Sequence, residues 1–336
     1  MELFVNQVLA GIATGAIYAC MALAVVMIYQ AIDHLNFAQG EMAMFSTFIA
    51  WQLIQPDFPN KIVETGQGLQ KGYSMPGVAQ TLSGLGHLLE WVGILSGYIL
   101  PLPFWGAFVV TLALSFLGGI AIERSLFKPL TNAPVLVHVA GFIALFAILN
   151  SVAGLTWDFT IKQFPSPFGS SGFLGSQLIS THQAGMIGVT IGLLILLFIF
   201  FRFTRVGLAM RAAASLPESA RLVGINTSWM IALGWGMAAA IGAIAGMLIA
   251  PVVFLEPNMM GGILLYGFAA AVLGGLTSPF GAVLGGFMVG IIENLVGTYI
   301  PGVGNELKLP IALALIIGVL VFKPSGLFGR AIVQRV

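Results

Sequence analysis

The sequence predicts an all-α polytopic membrane protein of about nine transmembrane helices, and three observations carry that prediction. Hydrophobic residues make up 58% of the 336-residue chain. Asp, Glu, Lys and Arg together make up 7%, against about a quarter in soluble domains. The apolar residues also fall into successive runs near the length of about 20 residues that a helix needs to cross a bilayer. A net charge of +1 gives no case for a nucleic-acid partner.

The runs cover residues 5–29, 37–54, 103–122, 135–154, 184–201, 229–250, 260–276, 281–299 and 309–322. The shorter ones fit broken or partial helices. The chain opens Met1-Glu2-Leu3, with no basic stretch ahead of the first run, which argues against a cleaved signal peptide. Within that run lies Cys20, the single cysteine, so no intrachain disulfide can form and a buried, small apolar role is expected.

The second run opens with Asn36, Gln39 and Glu41. One reading is helix initiation: Asn36 caps, Gln39 reaches back as in a capping box, and Glu41 sits near the positive end of the dipole. On that reading Glu41→Gln costs about 1 kcal/mol or less. The other reading has the three line a pathway, because polar groups at membrane depth are costly and often functional.

A further stretch at 88–100 is interrupted by Glu90 and closed by Pro101 and Pro103, and is expected to be re-entrant or interfacial. In the fourth run His138 and Asn150 are expected to make interhelical hydrogen bonds. Glu293 and Asn294, in the eighth, are expected to snorkel, pair, or line the pathway. Glycine pairs such as Gly118-Gly119, Gly274-Gly275 and Gly285-Gly286 predict close helix crossings.

Loop charge predicts orientation. Arg124, Lys128, Arg202, Arg205, Arg211, Arg221, Lys323, Arg330 and Arg335 fall on one side, and Lys61, Lys71, Lys162 and Lys308 on the other. Basic loops face the cytoplasm, so the amino terminus is expected outside and the carboxyl terminus inside. Four spans then precede a linking span at 184–201 and four follow it in the opposite sense, the arithmetic of an inverted repeat. The expected organisation is one permease domain, 1–336. Its first helical unit, 5–154, carries an extracytoplasmic insertion at 55–102; a cytoplasmic coupling loop, 202–228, leads to a second unit, 229–322. Within that loop an alanine-rich stretch punctuated by Pro217 and Gly224 can form a short docking helix.

Enzyme chemistry finds no residues to do it. The chain has no HExxH, CxxC or GxSxG motif and no glycine-rich phosphate loop ending in GK[ST]. No catalytic residue, metal or cofactor is expected. Transport energised by ATP would need the hydrolysis to occur on another subunit.

Five segments resemble a known family: LNFAQGE (35–41), IERSLFKPL (122–130), GLAMRAAASLPESARLVGIN (207–226), AAVLGGLTSPFGAVLGG (270–286) and KPSGLFGR (323–330). In order and together they resemble the shorter of the two permease types in branched-chain amino acid ABC importers of the bacterial inner membrane. The resemblance implies a second permease subunit, two ATP-binding subunits and an extracytoplasmic substrate-binding protein as partners, besides membrane lipid and a small-molecule substrate. It also implies that Arg211, Ala212, Ala213, Leu216, Glu218, Arg221 and Gly224 belong to a coupling helix that seats in the ATP-binding subunits. The insertion at 55–102 is longer than the family pattern. Similar permeases import urea, short amides or aromatic acids, and no residue here separates those substrates. A proton-coupled secondary transporter using Glu41 or Glu293 remains the reading from another class.

Overall fold

The computed structural model describes residues 2–32, 34–55, 102–131, 133–169, 172, 180–300, 307–323 and 326–329. The expected insertion at 55–102 and the stretch at 88–100 therefore lie almost wholly outside the described residues. Among the described residues every regular element is helical, apart from isolated bridges pairing Lys162 with Leu255 and Gly172 with Ser180.

The helices are α1 (Glu2–Ile32), α2 (Gln39–Ile54), α3 (Phe104–Ile122), α4 (Val135–Trp157), α5 (Thr181–Phe203), α6 (Arg205–Ser215), α7 (Pro217–Leu222), α8 (Thr227–Val253), α9 (Met260–Gly274), α10 (Pro279–Tyr299) and α11 (Lys308–Phe322). A π-helical turn, Glu123–Phe127, and a 3-10 turn, Lys128–Leu130, continue α3. Among the described residues six segments are long and apolar enough to cross a membrane: 3–30, 104–130, 135–157, 181–203, 227–253 and 279–299. α2, α9 and α11 are shorter, at 16, 15 and 15 residues.

Helix ends follow local chemistry. Ser180 and Gln183 form a reciprocal capping box at the start of α5. Asn226 accepts from the Trp229 amide to start α8, and Ser278, followed by Pro279, accepts from Gly281 to start α10. These caps satisfy amides that have no partner within the helix, a requirement that is stricter in lipid than in water.

α1 and α8 form the centre. From Ala16 to Ile28 every side chain of α1 is buried, because α8, α9 and α10 surround it. Contact with α10 depends on absent side chains: a Cβ at Gly11 would come within 2.7 Å of the Ile291 backbone, and one at Gly15 within 2.8 Å of Phe287. Backbones approach this closely only where glycine allows it, and dispersion over the interface is what holds helices together when no water is excluded. α3 crosses α8 in the same way, Gly119 lying against Trp235, Gly236 and Ala239. Trp235, fully buried, stacks with Phe127 and Phe142, with the Phe127 centroid 4.7 Å from each. Cys20 is buried as expected, its sulfur 3.4 Å from the Thr190 hydroxyl where α5 rests on α1. Outward faces of α4 and α5, including Leu136, Ile143, Ile195 and Phe198, are apolar and exposed, as a lipid boundary requires.

The packing partners fall into matched pairs. α1 packs on α10 as α8 packs on α3, and α1 on α9 as α8 on α2. α2 touches α3 and α4, while α9 touches α10 and α11. α2 and α9 also meet each other: a Cβ on Gly40 would lie 3.4 Å from the Met260 carbonyl and 3.3 Å from Leu264. Both short helices thus begin at one place, beside the middle of α8.

Candidate functional site

The start of α2 is not built as a local cap. Ala38 occupies the cap position and no side chain bonds the first-turn amides. The capping box expected from Asn36 and Gln39 does not form: the Asn36 Oδ1 accepts from the Ala38 amide at 2.9 Å, a tight Asx turn. Gln39 turns away and donates through Nε2 to the Ala238 carbonyl of α8 at 2.9 Å, where Gly242 leaves it room. A bond to a carbonyl 199 residues distant wins because that carbonyl is fully buried against α2 and the approach is open. The Gln39 Oε1 is left without a partner among the described residues.

Glu41, 2% exposed, faces a junction of three elements. Asn150 of α4 points its Nδ2 at the Glu41 Oε2 (3.4 Å), the Pro257 carbonyl (3.1 Å) and the Asn258 Oδ1 (3.2 Å). Asn150 thus makes the interhelical bonds expected of it. The turn between α8 and α9 that supplies Pro257 and Asn258 is fixed from outside the bundle by the paired Lys162–Leu255 amides and carbonyls, both at 2.9 Å. Trp51 at the end of α2 donates to the Gln163 carbonyl on the same strap at 3.0 Å.

Glu293 neither snorkels nor reaches this junction. The Tyr18 hydroxyl donates to its Oε2 at 2.7 Å, and Tyr18 stacks on Tyr266 at 4.7 Å between centroids. Asn294 donates to the Thr14 hydroxyl at 2.9 Å, so both residues tie α10 to α1. His138 lies edge-on to His34 at 5.1 Å. His182 bridges α5 to α8: its Nε2 is 3.1 Å from the Leu248 carbonyl, one turn before Pro251, and its Nδ1 is 2.9 Å from the Ser166 hydroxyl.

The segment between α5 and α8 forms two helices where one was expected, broken at Leu216–Pro217 because proline fits a first helical turn and not an interior. Thr204 caps α6 by accepting from the Gly207 amide at 3.0 Å. Gly224, at φ +84°, closes α7 in a Schellman turn, with Ile225 N–H to Ala220 O and Gly224 N–H to Arg221 O both at 3.0 Å. Arg221 donates to Thr227 at 2.8 Å. Met210, Ala213 and Ala220 face the bundle. Arg211, Leu216, Glu218, Leu222 and Val223 face away, Leu222 at 89% and Val223 at 75% exposed. Apolar side chains this bare thus stand beside charges on a segment capped at both ends.

Residues 7–320 match the family model described as branched-chain amino acid transport system / permease component. The chain belongs to that family. The permease is 31% identical to the high-affinity branched-chain amino acid transport system permease protein LivH of Escherichia coli, over 99% of this chain and 98% of the relative. It is 29% identical to the corresponding protein BraD of Pseudomonas aeruginosa, over the same shares. To the autoinducer 2 import system permease protein LsrC of Salmonella paratyphi B it is 25% identical, over 71% of this chain and 67% of the relative. No solved structure matches significantly.

Sequence reasoning had grouped Asn36, Gln39 and Glu41 with Glu293 and Asn294 as polar residues at depth. In the permease they separate into a junction around Glu41 and a tie between α1 and α10. Asn258, Tyr18 and His182 were missed. Nothing in the sequence singles out Pro257-Asn258, and a tyrosine within an apolar run carries no signal until its hydroxyl has a partner.

Proposed function

We propose that this permease is the membrane-spanning subunit of an ATP-driven importer for branched-chain and other hydrophobic amino acids. It works beside a second permease subunit and receives substrate from an extracytoplasmic binding protein. The observation that carries the reading is the exposed pair α6 and α7, a capped surface with apolar and charged side chains, in a transport family whose members are components of larger systems. Two ATP-binding subunits would seat there, with Arg211, Ala212, Ala213, Leu216, Glu218, Arg221 and Gly224 forming or supporting the contact. A component that docks has a reason for this surface; a stand-alone proton-coupled carrier has none. Near full-length similarity to LivH and BraD favours amino acids over urea, short amides or aromatic acids.

The proposed architecture is a single domain spanning the inner membrane nine times, amino terminus outside and carboxyl terminus inside. In it α1 to α4 and α8 to α11 form inverted units joined by α5. Support comes from the paired packing: exchanging α1, α2, α3 and α4 for α8, α9, α10 and α11 carries the contact α1–α10 into α8–α3 and α1–α9 into α8–α2. Such a repeat places broken helices at mid-depth, where a site can be opened to either side in turn. Asn36, Gln39 and Glu41 belong to that pathway on this reading, and Glu293 and Asn294 to packing between the two units, where α10 rests on α1.

Co-expression with the partner subunits, followed by affinity capture of this chain and ATP-dependent leucine uptake in proteoliposomes, tests the proposal. Capture of the ATP-binding subunits and uptake only with both ATP and binding protein is the expected result. Uptake driven by an imposed pH gradient without ATP would overturn it.

A further inference from the structure

The junction around Glu41 is unbalanced in its hydrogen bonding. Asn150 brings one amide nitrogen with two hydrogens, and three acceptors from two other elements converge on it: a carboxylate oxygen, a main-chain carbonyl and an amide oxygen. Two hydrogens cannot serve three acceptors well, and the bond to Glu41, the strongest acceptor, is the longest at 3.4 Å. A nitrogen carrying three hydrogens and a positive charge at the same point would satisfy all three.

The place is reachable. Asn258 is exposed on one side of the junction, and the neighbouring Gly261 and Gly262 at the start of α9 are exposed with no atom within 4 Å of where their side chains would begin. The junction also lies where α2 and α9 start against each other beside the middle of α8, so movement of either short helix changes the distance between Glu41 and Asn258. The other buried polar groups described above differ. Glu293 has a close partner in Tyr18, and His182 spends both ring nitrogens on Ser166 and Leu248.

We propose that Glu41, the Pro257 carbonyl and Asn258 form the site that holds the ammonium group of the amino acid as it crosses, the substrate displacing the Asn150 amide. The inference rests on the amino-acid importer reading above and adds to it the atoms that recognise the substrate. Asn150 closes the site when no substrate is present and prevents Glu41 from being left buried without a partner. Glu41 contributes charge, and the other two fix direction, so a solute without a cationic group cannot replace Asn150.

The test uses the complete transporter in proteoliposomes, measuring ATP-driven uptake of leucine supplied by its binding protein at equal subunit abundance. Glu41→Gln keeps an oxygen that accepts from Asn150 and so preserves a purely structural tie, but it removes the charge. Its uptake rate is expected to fall about tenfold or more, the loss of a charge-assisted bond, with Glu41→Asp recovering part of it. Asn258→Ala, which removes one of the three acceptors from an exposed position, is expected to lower the rate severalfold. Wild-type rates in Glu41→Gln or in Asn258→Ala would overturn the ammonium site while leaving the importer reading intact. Uptake lost on replacing Na⁺ by choline would assign the three acceptors to a coupling cation and overturn it too. A wild-type transporter that moves no amino acid under any condition would remove the importer reading and the site together.

Discussion

Tyr18 and the interfacial glycines show how single atoms decide stability here. The Tyr18 hydroxyl is a 2.7 Å donor to Glu293, and Tyr18→Phe leaves that carboxylate one donor short inside the bundle. A loss of about 1 kcal/mol is expected, read as a lower unfolding temperature in detergent. At Gly290 a methyl group would strike the Gly15 backbone and the Gly11 carbonyl. Gly290→Ala is expected to cost about 1–3 kcal/mol, since neither backbone can retreat from a packed interface. Gly188→Ala is the contrasting case, on an exposed face of α5 with nothing near the new carbon. It should leave the unfolding temperature unchanged or raise it by the equivalent of up to about 1 kcal/mol, alanine being the better helix former.

Among the elements, α6 and α7 carry the most direct test of coupling. Arg211 and Glu218 are exposed, and neither side chain holds the local fold. Arg211→Glu and Glu218→Lys should therefore leave the subunit inserted while separating ATP hydrolysis from uptake, because charges at the rim of an interface guide its register. Wild-type uptake and wild-type ATPase stimulation in both variants would remove this surface as the docking site. Existence and position of the apolar helices were legible in the sequence, since lipid leaves the backbone no alternative to helix over a long apolar run, though only six of the nine expected spans are long enough to cross among the described residues. So was the Arg-rich loop, and Gly224 and Pro217 marked its breaks. The start of α2 was not legible, because Asn36 and Gln39 match a local capping pattern and the choice against it is made by Ala238, far away in sequence and adjacent in space. The junction around Glu41 was half legible for the same reason: a glutamate in an apolar run announces itself, but the Pro257 carbonyl that completes the site has no side-chain signature at all.

For the molecule as a whole, orientation can be read with one cysteine at a time in a Cys20→Ala background, where an alanine fills the buried position of the only native thiol. Thr160→Cys, on the strap that pairs with Leu255, is expected to react with an impermeant maleimide added outside. Ser215→Cys at the end of α6 should react only after permeabilisation. The reverse pattern would invert the membrane orientation and place α6 and α7 out of reach of any ATP-binding subunit. The enclosure of α1 also has a consequence in time. It leaves the ribosome long before α10, yet its glycine face is closed by Gly286 and Gly290 of α10, some 270 residues later. At about 5–20 residues per second, α1 waits for tens of seconds before the surface that completes it has been made. During biosynthesis it must persist in lipid with its glycine face open. A chain stopped after α8 is therefore expected to insert normally and then be degraded, with α1 as the exposed element that quality control recognises.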